Sequence, residues 1–177
     1  MEDLTKDILN KSNNYVIEHR KQVKRAFNLL MPKITGFEGL TDKDLETISK
    51  NINEHDLSKF QPEEAVPYAK FFWSEQTEEV IKNFKDASKL HKSRNPHHPE
   101  YWTNEKGETN DMPIVYVVEM ICDWWSFGLI QNNPNKIFNF YLSNRDKFKF
   151  SKEIENIIEQ LLQKIYELIK ENKNLGL

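Results

Sequence analysis

The stretch MPIVYVVEMICDWWSFGLI (residues 112–130) is the most apolar of the chain, and it carries two carboxylates, Glu119 and Asp123. Pro113 fits the first turn of a helix, where a missing N–H costs nothing, and the helix runs to about Phe127. Asp123 falls between Tyr116/Met120 and Phe127, with Glu119 one turn earlier, so both lie on faces that helical spacing turns toward apolar neighbours. The two acids interrupt the stretch too much for a membrane span. Cys122, the single cysteine, excludes a disulfide framework and any CxxC zinc motif, and reads as a small buried hydrophobe.

Outward from this segment the same period recurs. A first helix is expected from about Thr5 to Leu30, with Tyr15, Val16, His19, Val23 and Phe27 along its stripe and Pro32 ending it. Residues 33–40 read as a loop. Thr41 followed by Asp44 makes a capping-box start for a second helix with Leu45, Ile48 and Ile52, which runs into His55-Asp56. Pro62 and Pro67 break the following segment, and a third long helix is expected over 70–91. Residues 95–107 read as a polar loop, 132–135 as a turn, and a short aromatic segment follows with Phe138, Phe140 and Tyr141. Ser151 caps a last helix with Ile154, Ile158, Leu161, Ile165 and Leu168 on one side. Alternating strand patterns are missing, so the expectation is a single all-α domain, residues 1–177, of five to seven helices.

Composition narrows the function. Lys and Arg number 25 and Asp and Glu 28, a net charge of −3, which argues against general nucleic-acid binding while leaving a local basic patch open. Twenty-one aromatics argue against disorder. The acidic, polar start MEDLTKDILNKSNNY has no secretory h-region, and a cytoplasmic location is expected. GxGxxG, Walker, HExxH and Gly-x-Ser-x-Gly motifs are absent.

The histidines are the informative residues. His19 continues the stripe of the first helix, His55 the Ile48/Ile52 stripe of the second, and His91 the Phe84/Ala87 stripe of the third. With Asp123, four expected helices each point an imidazole or a carboxylate at the core, and buried carboxylates need a partner or a metal. Singly, each has a plain alternative: His19 as a hydrogen-bonded core histidine, Asp123 paired with a base, His97 and His98 as loop residues. Together they read as a site for a divalent ion, with Mn, Fe, Co, Ni or Zn suited to imidazole and carboxylate.

The order His19, His55-Asp56, downstream histidines, Asp123 resembles the HD-domain superfamily of metal-dependent phosphohydrolases, and HDLSKF (55–60) is similar to its HD-x-x-K string. The resemblance implies a helical fold in which His19, His55, Asp56 and Asp123 bind one metal, while His91 and one of His97 or His98 serve a second. His91 stands only six or seven residues from His97 and His98, closer than in two-metal members. One ion or two is therefore left open, and one of these histidines is an alternative general acid or phosphate ligand. HDLSKF, PYAKFF (67–72), NPHHPEYW (95–102) and VEMICDWW (118–125) also resemble an uncharacterised bacterial and phage family known only as a domain of unknown function.

On the first resemblance the expected activity is hydrolysis of a nucleotide or another small phosphate ester. Asp56 would ligate the metal and orient water, and Lys59, four residues after His55 and on the same side if the helix continues, would neutralise phosphate charge. Glu119 is open between a partner of a ligand and a general base. Lys92 and Arg94 are further phosphate contacts or solvated residues. Tyr101, Trp102, Trp124 and Trp125 are either base-stacking platforms or core. Two other readings stand beside this one: a non-catalytic helical module (a phage accessory or interaction protein) that binds metal or phosphate, and a di-iron oxygenase.

Overall fold

The structure is a computed structural model that describes residues 2–109 and 111–171. Seven α-helices account for most of these: α1 (Glu2–Ile34), α2 (Asp42–Glu54), α3 (Pro62–Trp73), α4 (Glu78–Arg94), α5 (Ile114–Ile130), α6 (Lys136–Phe148) and α7 (Lys152–Glu171). Single 3₁₀ turns lie at Leu57–Phe60 and Pro99–Trp102. Among the described residues the only extended pairings are two isolated bridges through Thr109, to Thr103 and Phe150. The expected all-α bundle is met. No helix of the described residues is long and apolar enough to cross a membrane.

Helix α5 is the axis. It is apolar around nearly its whole circumference because α1, α2, α6 and α7 all pack on it. Leu30, Ile48, Met120, Ile121, Leu161 and Ile165 are fully buried there, each stabilising the fold by ~1.5–3 kcal/mol. Helices α3 and α4 form a separate pair beside α1, held by Phe71 stacked on Phe84 at 3.9 Å.

Three local expectations change. Helix α1 passes Pro32 and ends at Ile34. Proline there forfeits one bond to the carbonyl of Asn28, while the anchoring of Leu30 and Ile34 in the core carries the last turn onward. The helix expected over 70–91 is two helices. Ser74 leaves helical geometry, and Thr77 caps α4 by accepting from the Val80 N–H at 3.3 Å. Pro67 lies inside α3 rather than dividing it. The aromatic segment after the 132–135 turn is the full helix α6, of which Ile137 and Tyr141 are buried.

The predicted caps hold. Thr41 and Asp44 exchange both bonds of a capping box, and the Ser151 hydroxyl accepts from the Ile154 N–H. Gly128 lets the chain after α5 fold back on it, since a Cβ there would meet the Asn133 carbonyl at 2.7 Å. Gly128→Ala should therefore lower the melting temperature, although Ala gains ~1 kcal/mol of helix propensity. Overpacking of this kind costs ~1–3 kcal/mol, and thermal unfolding followed by circular dichroism reads the balance.

Candidate metal centre

Four elements and one loop build the site. Helix α2 ends at Glu54 because Asp56 adopts the left-handed conformation, φ +57° and ψ 18°, which Asp tolerates better than most residues. That turn aims the Asp56 carboxylate inward instead of along a continuing helix. Arg20 of α1 fixes the turn from outside: its Nε donates to the His55 carbonyl at 2.7 Å and its Nη2 to that of Asn53 at 2.6 Å. His91 stands in the last turn of α4. The 95–102 segment is anchored by Trp102, whose Nε1–H donates to the Pro96 carbonyl at 2.7 Å, and this brings His97 and His98 beside His91.

All the histidines singled out in the sequence converge. His19, His55 and Asp123 offer ligand atoms within 4.8 Å of one another, and so do Asp56, His91, His97 and His98. Asp56 lies between the groups. Its Oδ2 is 3.5 Å from His19 Nε2 and 3.7 Å from His55 Nε2. Its Oδ1 is 3.2 Å from His91 Nε2 and 3.6 Å from His97 Nε2. His19 Nε2 is 3.0 Å from Asp123 Oδ1 and 3.4 Å from His55 Nε2. Atoms held ~2.1 Å from one ion at octahedral to tetrahedral angles lie about 3.0–3.4 Å apart. The His19–Asp123, His19–His55 and Asp56–His91 pairs meet that spacing and the other contacts of Asp56 are slightly wider, so each group could close on a cation with small shifts.

The outward ring nitrogens are occupied. His55 Nδ1 and His97 Nδ1 both pair with Glu119 Oε1, at 2.9 and 3.1 Å. His91 Nδ1 pairs with Glu64 Oε2 at 2.8 Å. His19 Nδ1 is 3.3 Å from the Ser126 hydroxyl, which spends its own proton on the Asp123 carbonyl. An imidazole that donates from Nδ1 keeps a lone pair on Nε2. The Nε2 atoms of His91, His97 and His98, together with Asp56 Oδ1, are buried and make no hydrogen bond. Four buried polar atoms without a partner in one place are what a cation would satisfy. The further grouping of His55, His97 and Glu119 is this hydrogen-bonded support rather than a third cluster, since Nδ1 of both rings already faces the carboxylate.

Charge accounts for the proton affinities. Burial presses His55 toward its neutral form, but Asp56, Asp123 and Glu119 together outweigh it and raise its pKa to about 10. His19 and His91 are raised in the same way, against burial, by Asp123 and Asp56 and by Asp56 and Glu64. Burial alone would raise Asp56 and Asp123. Lys59 and His55 hold Asp56, and His19 and His55 hold Asp123, well below the carboxylate range. His98 is pushed down to about 2 by burial and by His97 and His91. Burial pushes the Cys122 thiol up, so the thiol stays protonated.

Other expected residues are placed differently. Lys59 does not extend from α2 past His55, because the helix has ended. It reaches Asp56 Oδ2 from the 3₁₀ turn at 2.6 Å. Glu119 sits behind the rings of His55 and His97. Trp125 is fully buried and bonded to the Pro134 carbonyl, and Trp124 packs between Phe140 and Phe148, so both are core. Trp102 packs on Tyr116, and Tyr101 is exposed. Phe127, not a tryptophan, stacks on a candidate ligand, His19, at 5.0 Å. Lys92 and Arg94 are taken up by Glu100 and Glu63.

Glu64, Ser58, Asn95, Ser126 and Arg20 were not read as site residues. The one available signal for Glu64 was its place four residues before Tyr68 and beside Ala65, on the inward side of α3.

Residues 9–164 match the family of unknown function DUF5662, and the chain belongs to that family. The resemblance to an uncharacterised family is thereby borne out. Neither curated proteins nor solved structures give a match.

Metal ligands must shed protons. Since His55, raised to about 10, holds its proton at neutral pH, and His19 and His91 are shifted in the same direction, uptake of a divalent ion should release protons and tighten as pH rises. Calorimetric titration with Mn²⁺ or Zn²⁺ in two buffers of different ionisation enthalpy checks this. In the metal-free protein, the stabilisation from these pairs should fade as pH falls through the lowered values of Asp56 and Asp123. It should also fade as pH rises through about 10, where His55 loses its proton.

Proposed function

We propose that the chain is a metal-dependent phosphohydrolase that holds two divalent cations across Asp56 and acts on a small phosphate ester, nucleotides included. The observation that carries the reading is Asp56 itself: its two oxygens face two separate imidazole clusters. The resemblance of His19, His55-Asp56 and Asp123 to the HD-domain set supports it. His19, His55, Asp123 and Asp56 Oδ2 would hold one cation, and Asp56 Oδ1, His91, His97 and His98 the other. His98 thereby joins His97, where the resemblance asked for only one of them. When bound, such ions polarise a phosphoryl oxygen and lower the pKa of water.

Charge calls for cations at the site. Asp56, Glu64, Glu119 and Asp123 are buried, with Lys59 beside Asp56 and Arg94 beside Glu64. With neutral histidines, four carboxylates against these two cationic side chains leave two negative charges. One divalent ion brings the site to neutrality, and a second makes it positive and attractive to a phosphate.

The chain's own residues then have distinct tasks. Lys59 uses one of its three N–H donors on Asp56 and retains two for a phosphoryl oxygen. Lys59, Asp123 and His98 are the site's more accessible groups, with the Lys59 and Asp123 side chains 20% and 12% exposed, and substrate would reach the site past them. Asp56 accepts a hydrogen bond from the attacking water. The water oxygen bonds to phosphorus as the ester P–O bond breaks, and the alcohol leaves with the proton. Glu119 acts as an orienting group for two imidazoles, both of which pair with its Oε1.

A structural metal site is the second reading, favoured by the depth of burial: His19, His55, Asp56, His91 and His97 are each 3% exposed or less. Elemental analysis of untagged wild type and of the His55→Ala/Asp56→Ala variant, with a p-nitrophenyl phosphate and nucleoside monophosphate assay, separates the readings. Near-stoichiometric metal lost in the variant, with turnover in the wild type, is expected. Lys59→Ala should then cut kcat by ~10²-fold or more in variant protein that still holds its metal, with a lower melting temperature because buried Asp56 loses its 2.6 Å partner. Metal without turnover on any ester supports the structural reading, and a wild type that takes up no metal on reconstitution overturns both.

A further inference from the structure

Glu64 has the least contact with water of the carboxylates among the described residues, at 0% exposure. Its Oε2 accepts from His91 Nδ1 at 2.8 Å and from the Ser58 hydroxyl at 3.0 Å. Asn95 donates in turn to Ser58 Oγ at 3.0 Å and to the His91 carbonyl at 2.7 Å. On the other side Arg94 comes within 3.5 Å of Glu64 Oε1. A charge at this depth is costly unless something nearby needs it.

The neighbour that needs it is His91. Neutral imidazole exists as two tautomers, and the groups facing Nδ1 select between them: Glu64 Oε2 is nearest at 2.8 Å and carries the charge, with Asn95 Nδ2 at 3.1 Å and Ser58 Oγ at 3.2 Å. A carboxylate at Nδ1 keeps the proton there and leaves the Nε2 lone pair toward Asp56 Oδ1, 3.2 Å away. Without the carboxylate, the Nε2–H tautomer becomes available. It would donate to Asp56 Oδ1 and fill the space of a ligand bond.

The three imidazoles of this cluster do not share one support. His97 is held by Glu119, which also holds His55 of the other cluster. Glu64 makes no contact with His19, His55 or Asp123; its partners are Ser58, His91 and Arg94.

We propose that Glu64 is the positioning residue of the second cation. By accepting the Nδ1 proton of His91, it commits that ring to the Asp56–His91–His97–His98 cluster and sets that cluster's affinity separately from that of His19–His55–Asp123. This rests on the two-cation reading above. Loss of such a support weakens metal binding by ~10–100-fold.

The test is stepwise loading of metal-free, untagged full chain with Mn²⁺ or Zn²⁺, read by calorimetry and by elemental analysis after gel filtration. Wild type should take up two ions. Glu64→Gln should keep the first with unchanged affinity and lose ~10–100-fold on the second. A general weakening of the fold would not discriminate between the two ions. Glu64→Asp keeps the charge but draws it back by one methylene. It should show the same selective loss and keeps the test open if the Gln variant fails to fold. Two ions bound with wild-type affinity by both variants, or both ions lost together from a folded variant, overturns the role of Glu64 alone. A wild type that binds one ion or none overturns the two-cation reading, and this proposal with it.

Discussion

The position of one carboxylate governs the rest of this structure. Asp56 is 1% exposed, sits in a left-handed backbone conformation and presents its two oxygens to imidazoles from α1, α4, the end of α2 and the 95–102 segment. Each of those conditions costs free energy alone: burial of charge, an uncommon φ, rings turned lone pair to lone pair. They become compatible when positive charge lies between the groups, as protons or as metal. The bundle around them is what prevents the strain from relaxing. The apolar girdle of α5 fixes Glu119 and Asp123 in place, and Arg20 pins the carbonyls just before the turn.

The fold also explains why residues so far apart in the chain meet. Glu119 and Asp123 are one turn apart on α5, so they share a face and look toward α1 and the end of α2. His19 on α1 reaches Asp123, and His55 reaches both acids. The α3–α4 pair then brings Glu64 and His91 to the opposite side of Asp56. The two clusters thus correspond to two packing layers: α1 with α5, and α3–α4 leaning on α1.

Much of this was legible in the chain. The 3.6-residue period placed His19, Asp123 and Glu119 on inward faces, and the HD doublet marked the end of α2. What periodicity misses is backbone outside helices. The left-handed turn at Asp56 moved Lys59 from the His55 side onto Asp56 itself, and no spacing rule foretells a change of direction at one residue. The 95–102 segment shows the same limit. The six or seven residues between His91 and His97 or His98 are fewer than in the two-metal proteins the chain resembles, and spacing alone does not show that a 3₁₀ turn anchored by Trp102 brings all three rings together. Glu64 and Ser126 escaped notice because each partners a histidine rather than forming a pattern of its own. Trp125 illustrates the opposite case, where a conspicuous aromatic next to a site residue is simply core.

Glu119 carries the last step. A single oxygen, Oε1, receives Nδ1 from His55 and from His97, one ring of each cluster. Together with Asp56 it links the two groups twice, once through the ligand carboxylate between them and once through the hydrogen bonds behind them. His97 is as buried as His19, each at 3% exposure. Its ring lies tilted against that of His55, centroids 4.3 Å apart, and its outward nitrogen is tied to the acid that orients His55. The two imidazole groups are therefore one packed unit, joined in front by Asp56 and behind by Glu119, and a change at Glu119 reaches a ring of each.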